Sequence, residues 1–236
     1  MRKRLKQWLL TPGQHYFLRA LVPLGMELRL YIAHLRGCWR ARRHVDAKGL
    51  KLNLGCGSND RPGWVNIDAG PNADFMLDLR RRLPFSDNSA EIIYSEHFFE
   101  HLGYPNTACF HLRECHRVLA PGGIVSLGVP HGEKYVRLYL EELASGRTDI
   151  EPPGSYAGWA RSPMERLNFI FHQAYREDFA EHRFAYDFQT LSKRLDEAGF
   201  VDIEQRPFDA ALDSSYRKFG SLYLQARKPR LAGNGV

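Results

Sequence analysis

The sequence predicts an α/β fold with a doubly wound, mostly parallel sheet, and three observations predict it. Past residue 49, short apolar runs alternate with stretches of helical periodicity. The first of these runs ends in the turn Gly55-Cys56-Gly57, where open sheets of this class bring their backbone against a ligand. The run 124–129 is a continuous stretch of the kind that a parallel sheet buries on both faces.

The elements follow in order. Leu50–Leu54 reads as the first strand, residues 64–68 as a short second, 74–79 as a third, and 91–95, with Ile92, Ile93 and Tyr94 in succession, as a fourth. Residues 107–120 form a helix whose apolar stripe falls at Ala108, Leu112, Cys115 and Leu119, and Pro121-Gly122-Gly123 stops it. Strand 124–129 comes next. Asp187 reads as the N-cap of a helix with Phe188, Leu191, Leu195 and Ala198 on one face, and Gly199 supplies the left-handed residue at its end. Residues 201–205 and 222–226 are closing strands. Between His131 and Asp187 lie 55 residues that no simple crossover requires. Of these, 134–143 and 166–179 look helical and 145–163 is a Gly/Pro/Ser-rich loop. The stretch of about 132–186 reads as an inserted lid over the ligand end of the sheet.

With 236 residues, 44% hydrophobic and 25% charged, the chain suits one soluble domain with an appendage. Cys38, Cys56, Cys109 and Cys115 show no CxxC pair and no His/Cys grouping at zinc spacing. That argues against a disulfide framework and a structural metal, and for a reducing, cytoplasmic compartment. The net charge of +6 is lopsided: residues 1–48 hold 11 Lys/Arg against Glu27 and Asp46, and the remaining 22 bases face 25 acids. The excess therefore belongs to a basic arm, 1–48, on a slightly acidic domain, 49–230, and gives no ground for nucleic-acid binding by that domain.

The arm opens on MRKRLKQWLL, but Thr11, Pro12, Gly13, Gln14 and His15 break the apolar stretch and no small-residue cleavage site follows, so it does not read as a signal peptide. Residues 17–35 have the length of a bilayer span yet contain Arg19, Pro23, Glu27 and Arg29, and each charge at mid-membrane costs about 2.5–3.5 kcal/mol. Amphipathic helices remain, broken at Pro12-Gly13 and Pro23. They either cover the domain, which is the favoured reading, or make a peripheral contact with the inner face of a membrane.

Chemistry-bearing residues stand at successive strand ends. After Gly55-Cys56-Gly57, the third glycine of a dinucleotide fingerprint is replaced by Asp60, and Pro62-Gly63 prevents a long helix from starting. Asp68, 11 positions past Gly57, ends the second strand, where a carboxylate accepts hydrogen bonds from both hydroxyls of a ribose. Asp78 closes the third, where its side chain would accept from an adenine amino group.

On these residues the chain resembles the class I S-adenosylmethionine-dependent methyltransferases, specifically the methyltransferase type 11-like family. The matching segments are LNLGCG at 52–57, GWVNID at 63–68, DLRRRLPFSDNSAEIIYSEHFFEHL at 78–102, LRECHRVLAPGG at 112–123 and HRFAYDFQTLSKRLDEAGF at 182–200. The resemblance implies a Rossmann-like, seven-stranded sheet with an antiparallel last strand, and S-adenosyl-L-methionine as cofactor. It implies that Gly55 and Gly57 line the methionine portion, Asp68 the ribose, and Asp78 with Leu79 the adenine. The short link 57–64, where many members have a full helix, is a departure at the amino-acid end of the cofactor.

Methyl transfer asks of the protein an in-line approach, exclusion of solvent and, for some acceptors, a base. His97 after the fourth strand is the first candidate base, His131 the second and His182 the third; hydrogen bonds that hold the loop are the other reading for His97 and His101. His111, His116 and His172 fall in helical segments and read as surface residues. Arg80-Arg81-Arg82 reads as a solvated charged loop, and Tyr156, Trp159 and Tyr175 line an acceptor pocket or fill a small secondary core. No Asn/Asp-Pro-Pro-aromatic signature for amino acceptors follows the fourth strand, where Ser95-Glu96-His97-Phe98 stands. An oxygen on a small-molecule, lipid or glycan acceptor is therefore expected. Two rivals are a non-catalytic cofactor-binding module, and a nucleotide-sugar or NAD oxidoreductase. The second would need the missing third glycine and a Tyr-x-x-x-Lys pair.

Overall fold

The computed structural model describes residues 16–44, 46–147, 158–172 and 181–230. Seven strands form one sheet: β1 (Leu50–Leu54), β2 (Val65–Asp68), β3 (Phe75–Met76), β4 (Ala90–Glu96), β5 (Leu119–Pro130), β6 (Val201–Gln205) and β7 (Ser221–Arg227), in the order β3-β2-β1-β4-β5-β7-β6. All neighbours from β3 to β5 are parallel, and β7 runs antiparallel to both β5 and β6. The helices are α1 (Tyr16–Ala41), α2 (Asn106–Val118), α3 (Gly132–Ser145), α4 (Pro163–His172) and α5 (Phe188–Glu197). This is the mostly parallel, seven-stranded sheet with flanking helices that the sequence predicts.

The central strands sit where the apolar runs require. Leu52, Leu54, Ile67, Ile93, Val125, Leu127 and Val129 are all at most 1% exposed, and Leu112, Leu191 and Leu195 of α2 and α5 join the same core. Asp187 caps α5 by accepting from the Thr190 N–H at 2.7 Å. Helix α2 ends at Val118 rather than 120, because β5 begins at Leu119 and runs through Pro121-Gly122-Gly123. The third strand shrinks to two residues, which leaves Asp78 beyond it in the turn that follows.

Parallel strands are normally joined by a crossover of a dozen or more residues, usually helical. Here β1 reaches β2 without a helix, and buried polar side chains hold the link. The Asn53 side-chain amide donates to Asn66 Oδ1 and to the Asn59 carbonyl, both at 2.9 Å, and Asn66 Oδ1 also accepts from the Arg61 N–H at 2.8 Å. The Arg61 guanidinium lies over the Tyr94 ring at 4.4 Å.

Helix α1 packs beside β3 through Leu30, His34, Gly37 and Ala41, all buried. A Cβ on Gly37 would stand 2.3 Å from the Met76 carbonyl oxygen, so only glycine permits this approach. The helix passes unbroken through Pro23, contrary to the expected break: one missing N–H costs less than the packing of a 26-residue helix against the sheet returns. Glu27, one turn before Leu30, holds Arg80 by two hydrogen bonds of 2.6 and 2.8 Å. On its opposite face, at i, i+3, i+4 spacing, Leu21, Leu24, Leu28, Ile32, Leu35 and Trp39 are 40–69% exposed. Among the described residues no helix is long and apolar enough to cross a membrane. Residues 1–15, including Trp8 and Pro12-Gly13, lie outside the described residues, as do Tyr156 and Tyr175. Trp159 meets Phe169 of α4 edge to face with ring centres 5.9 Å apart, which is the secondary-core reading. Helices α3 and α4 are joined by a buried ion pair, Arg166 to Glu142 at 2.6 Å.

Candidate active site

A cleft of about 720 Å³ opens at the carboxyl ends of β1, β2, β3 and β4, with Leu30 of α1 on its wall. Gly55, Gly57, Asp68, Asp78, Leu79 and His97 all line it; His131 and His182 do not.

Each glycine is there for a separate reason. Gly55 has φ +71°, and a Cβ would stand 2.3 Å from Cβ of Phe98, another wall residue. Gly57 has φ +55° with nothing within 4 Å of the Cβ position, so the constraint there is backbone conformation alone. Between them Cys56 is buried, with its thiol pushed up to about 12 by burial and then by the Asp68 charge; it is no nucleophile.

Asp68 is fixed from both sides. Its Oδ2 accepts from the Gly57 N–H at 3.0 Å and its Oδ1 from the Gly70 N–H at 2.7 Å. Each carboxylate oxygen keeps acceptor capacity towards the cleft. Asp78 is buried, and its oxygens are occupied otherwise than expected. Oδ1 accepts from Arg80 Nε at 2.8 Å, and Oδ2 from Arg80 Nη2 at 3.0 Å and Arg81 Nε at 3.1 Å. Burial would raise its pKa, but the Arg80 bonds outweigh that and hold it below the usual carboxylate range. Arg80 and Arg81 are thus ion-paired rather than solvated, and a chain Glu27–Arg80–Asp78 ties α1 to this corner of the cleft. Imidazole Nδ1 of His34 accepts from the Asp78 N–H at 3.2 Å.

Beyond β4 stands a cluster that the sequence does not announce. Glu100 is 1% exposed, and among the described residues neither carboxyl oxygen has a hydrogen-bond partner. Burial raises its pKa to about 8. Three imidazoles face its Oε1: Nδ1 of His97 at 3.6 Å, Nε2 of His182 at 3.7 Å and Nε2 of His101 at 4.0 Å. Their outer nitrogens are committed. His182 Nδ1 meets the Ile170 carbonyl at 2.6 Å and His101 Nδ1 the Glu181 carbonyl at 3.0 Å. The Ser221 hydroxyl donates to the Arg217 carbonyl at 2.8 Å, so its oxygen accepts from Nε2 of His97 at 2.7 Å. A carbonyl can only accept, which fixes these outer atoms as N–H donors and leaves each inner nitrogen a lone pair. Burial, with the nearby Arg217 and the other imidazoles, keeps His97 well below its ordinary pKa; His182 is lowered to about 4, chiefly by burial. His97 itself has φ +53°, a strained placement for a non-glycine residue at a strand end.

Arg183 and Arg217 also line the cleft. Sequence reasoning missed both; Arg183 adjoins His182 in the matched segment, whereas Arg217 carries no signal at all. His131 lies apart, as the N-cap of α3, its Nδ1 accepting from the Lys134 N–H. Far from being a surface residue, His111 is buried and donates from Nδ1 to the Leu79 carbonyl at 2.9 Å. That bond pins the backbone of a cleft residue from behind.

Residues 66–127 match the family described as a methyltransferase domain, a segment that runs from Asn66 past Asp68, Asp78 and His97 into β5. Among solved structures, the chain is similar to an S-adenosylmethionine-dependent methyltransferase from Methanosarcina mazei, at 15% identity over 80% of this chain and 96% of that one, with a TM-score of 0.48. Another from Mesorhizobium loti shows 17% identity, coverage of 81% and 98%, and a TM-score of 0.43. A third, from Thermotoga maritima, shows 14% identity, coverage of 85% and 91%, and a TM-score of 0.44. No curated protein matches the chain in sequence. The segment 66–127, about a quarter of the chain, is therefore similar to a methyltransferase domain.

Proposed function

We propose that the enzyme methylates an oxygen of a small-molecule, lipid or glycan acceptor, and that the acceptor is presented at an anionic membrane surface. In this reading Gly55 and Gly57 pass the methionine portion of the cofactor, Asp68 takes the ribose hydroxyls, and the adenine lies between Leu79 and Leu30. Asp78, already held by Arg80 and Arg81, then shapes the adenine corner more than it binds it. His97, on the cleft wall, receives the acceptor's proton on Nδ1, the nitrogen that keeps a lone pair; Arg183 and Arg217 draw an anionic acceptor. His131 and His182 are weaker candidates for the base, since neither lines the cleft.

The observation that carries the membrane part is the outward stripe of α1. Leu24, Leu28, Leu35 and Trp39 are more than half exposed, and Arg29, Arg36 and Arg40 follow on the adjoining side of the helix. Such a helix lies in the lipid interface with its basic residues at the headgroups, each adding about 1 kcal/mol. The opposite face covers the cleft, so one helix does both jobs that the sequence reading set against each other. A cytoplasmic, peripheral location belongs to the same proposal.

Two measurements test it. Calorimetry on the full chain should give S-adenosylhomocysteine binding and no preference for NAD. Vesicles with anionic phospholipid should sediment the chain at low salt and release it as salt rises, and Leu24→Glu with Leu28→Glu should abolish the effect. Binding to neutral and anionic vesicles alike, or to neither, refutes the membrane part. Labelled methyl transfer into a lipid extract, set beside soluble glycan and small-molecule pools, then identifies the acceptor class.

A further inference from the structure

We propose that Glu100, His101 and His182 form a binding site for one divalent first-row transition ion at the wall of the cleft. The argument begins with an electrostatic conflict. The Glu100 carboxyl group, shut away from water, faces three imidazole nitrogens, and among the described residues nothing donates to it. Buried polar groups without partners are costly and rare. The outer hydrogen bonds make the conflict specific, because carbonyls of Ile170 and Glu181 turn both Nε2 atoms inward as acceptors. Metal-binding histidines are oriented in this way, with the far N–H donated to a carbonyl or carboxylate.

The spacing suits an ion. One ligand atom from each of the three residues lies within 4.8 Å of the others, too far for hydrogen bonds between them. Around an ion with bonds of about 2.1 Å, ligand atoms stand roughly 3–4.2 Å apart, so a small contraction closes the set. Two imidazoles and one carboxylate select zinc, iron or a neighbour in the series over magnesium or calcium, and leave coordination positions open. His97 and His101 both line the cleft. An open position there would take an acceptor oxygen and lower the cost of its negative charge, a role that rests on the methyltransferase reading; the binding site does not.

The test uses the full chain without an affinity tag, stripped with a chelator and then offered Zn²⁺ or, without oxygen, Fe²⁺. Metal content and competition with a chromophoric chelator should show one ion per chain. Glu100→Gln and His182→Gln should each weaken binding about 100-fold or more, while His116→Ala, away from the cluster, binds as the parent does. Circular dichroism checks that the variants fold; if His182→Gln does not, His101→Gln, at the more exposed ligand, takes its place. A stripped chain that takes up neither ion, or ligand variants that bind as tightly as the parent, overturns the proposal. S-adenosylhomocysteine binding by the stripped chain is measured alongside, and its failure would count against the cofactor assignment and not against the metal site.

Discussion

Gly55 and Gly57 share a left-handed backbone but differ in what surrounds them, and that difference predicts a measurable gap between two alanine variants. Left-handed conformation costs a residue with a Cβ about 1–2 kcal/mol. At Gly57 that is the whole cost, since the new methyl meets nothing within 4 Å. At Gly55 the methyl would stand 2.3, 2.4 and 2.7 Å from Cβ, Cγ and Cδ2 of Phe98. These are the root of the side chain, not a flexible tip, so Phe98 has to move with its backbone, at about 1–3 kcal/mol more. For a domain of this size 1 kcal/mol moves the melting temperature by about 2–4 °C. Gly57→Ala should therefore lower Tm by roughly 2–8 °C, and Gly55→Ala by roughly twice as much or more. Because Phe98 is a cleft wall, Gly55→Ala should also weaken S-adenosylhomocysteine binding more than Gly57→Ala does. Thermal unfolding with and without ligand reads both quantities. Equal shifts, or a larger one for Gly57→Ala, would refute the packing of Phe98 over the first turn.

Three further outcomes are expected. Asp68→Ala should weaken S-adenosylhomocysteine binding about tenfold or more, the loss of charge-assisted bonds to two hydroxyls, as read by calorimetry; unchanged affinity removes Asp68 from the ribose. His97→Ala should keep that affinity while lowering single-turnover methyl transfer about 100-fold, and if His131→Ala alone loses activity, the base is His131. Burial holds His111 at about 4 against an ordinary 6.5, so the unfolded chain takes up its proton first. Stability should then fall as pH drops from 6.5 towards 4, by up to about 3 kcal/mol from this residue, and denaturant titrations of His111→Asn should show a shallower fall.

The strand-end residues of the cleft were legible because each is local. A strand, a Gly-x-Gly turn and a carboxylate at the next strand tip are read from a few consecutive residues, and the sheet then brings their ends together whatever the loops do. Helix α1 was legible as a basic amphipathic segment packed on the domain, but not in how its faces divide. Its two apolar faces look like one broad stripe until it is known that Leu30, His34, Gly37 and Ala41 are taken by β3. Its continuation through Pro23 could not be seen either, since propensity is a local quantity and the packing that overrides it is not. The same blindness misplaced Arg80 and Arg81. Three arginines in a row read as solvated charge, yet Arg80 pairs with Asp78 and with Glu27, 53 positions away.

The triad is the extreme case. Glu100 and His101 are neighbours in the chain, but the lone pair of His182 comes from the far side of the long excursion between β5 and α5. Its direction is set by a carbonyl of α4. No spacing rule covers such a set, because zinc and iron motifs of fixed spacing exist only where the ligands share one turn or one helix. What the sequence did contain was an anomaly of type. Glu100 falls in an otherwise apolar-aromatic turn, Phe98-Phe99-Glu100-His101-Leu102, at a strand end that the fold buries. A carboxyl group there has to find either a donor or a cation, and no described residue donates to it. The reading from cysteine and histidine spacing argued against a structural metal, because spacing along the chain cannot show a site assembled by the tertiary fold.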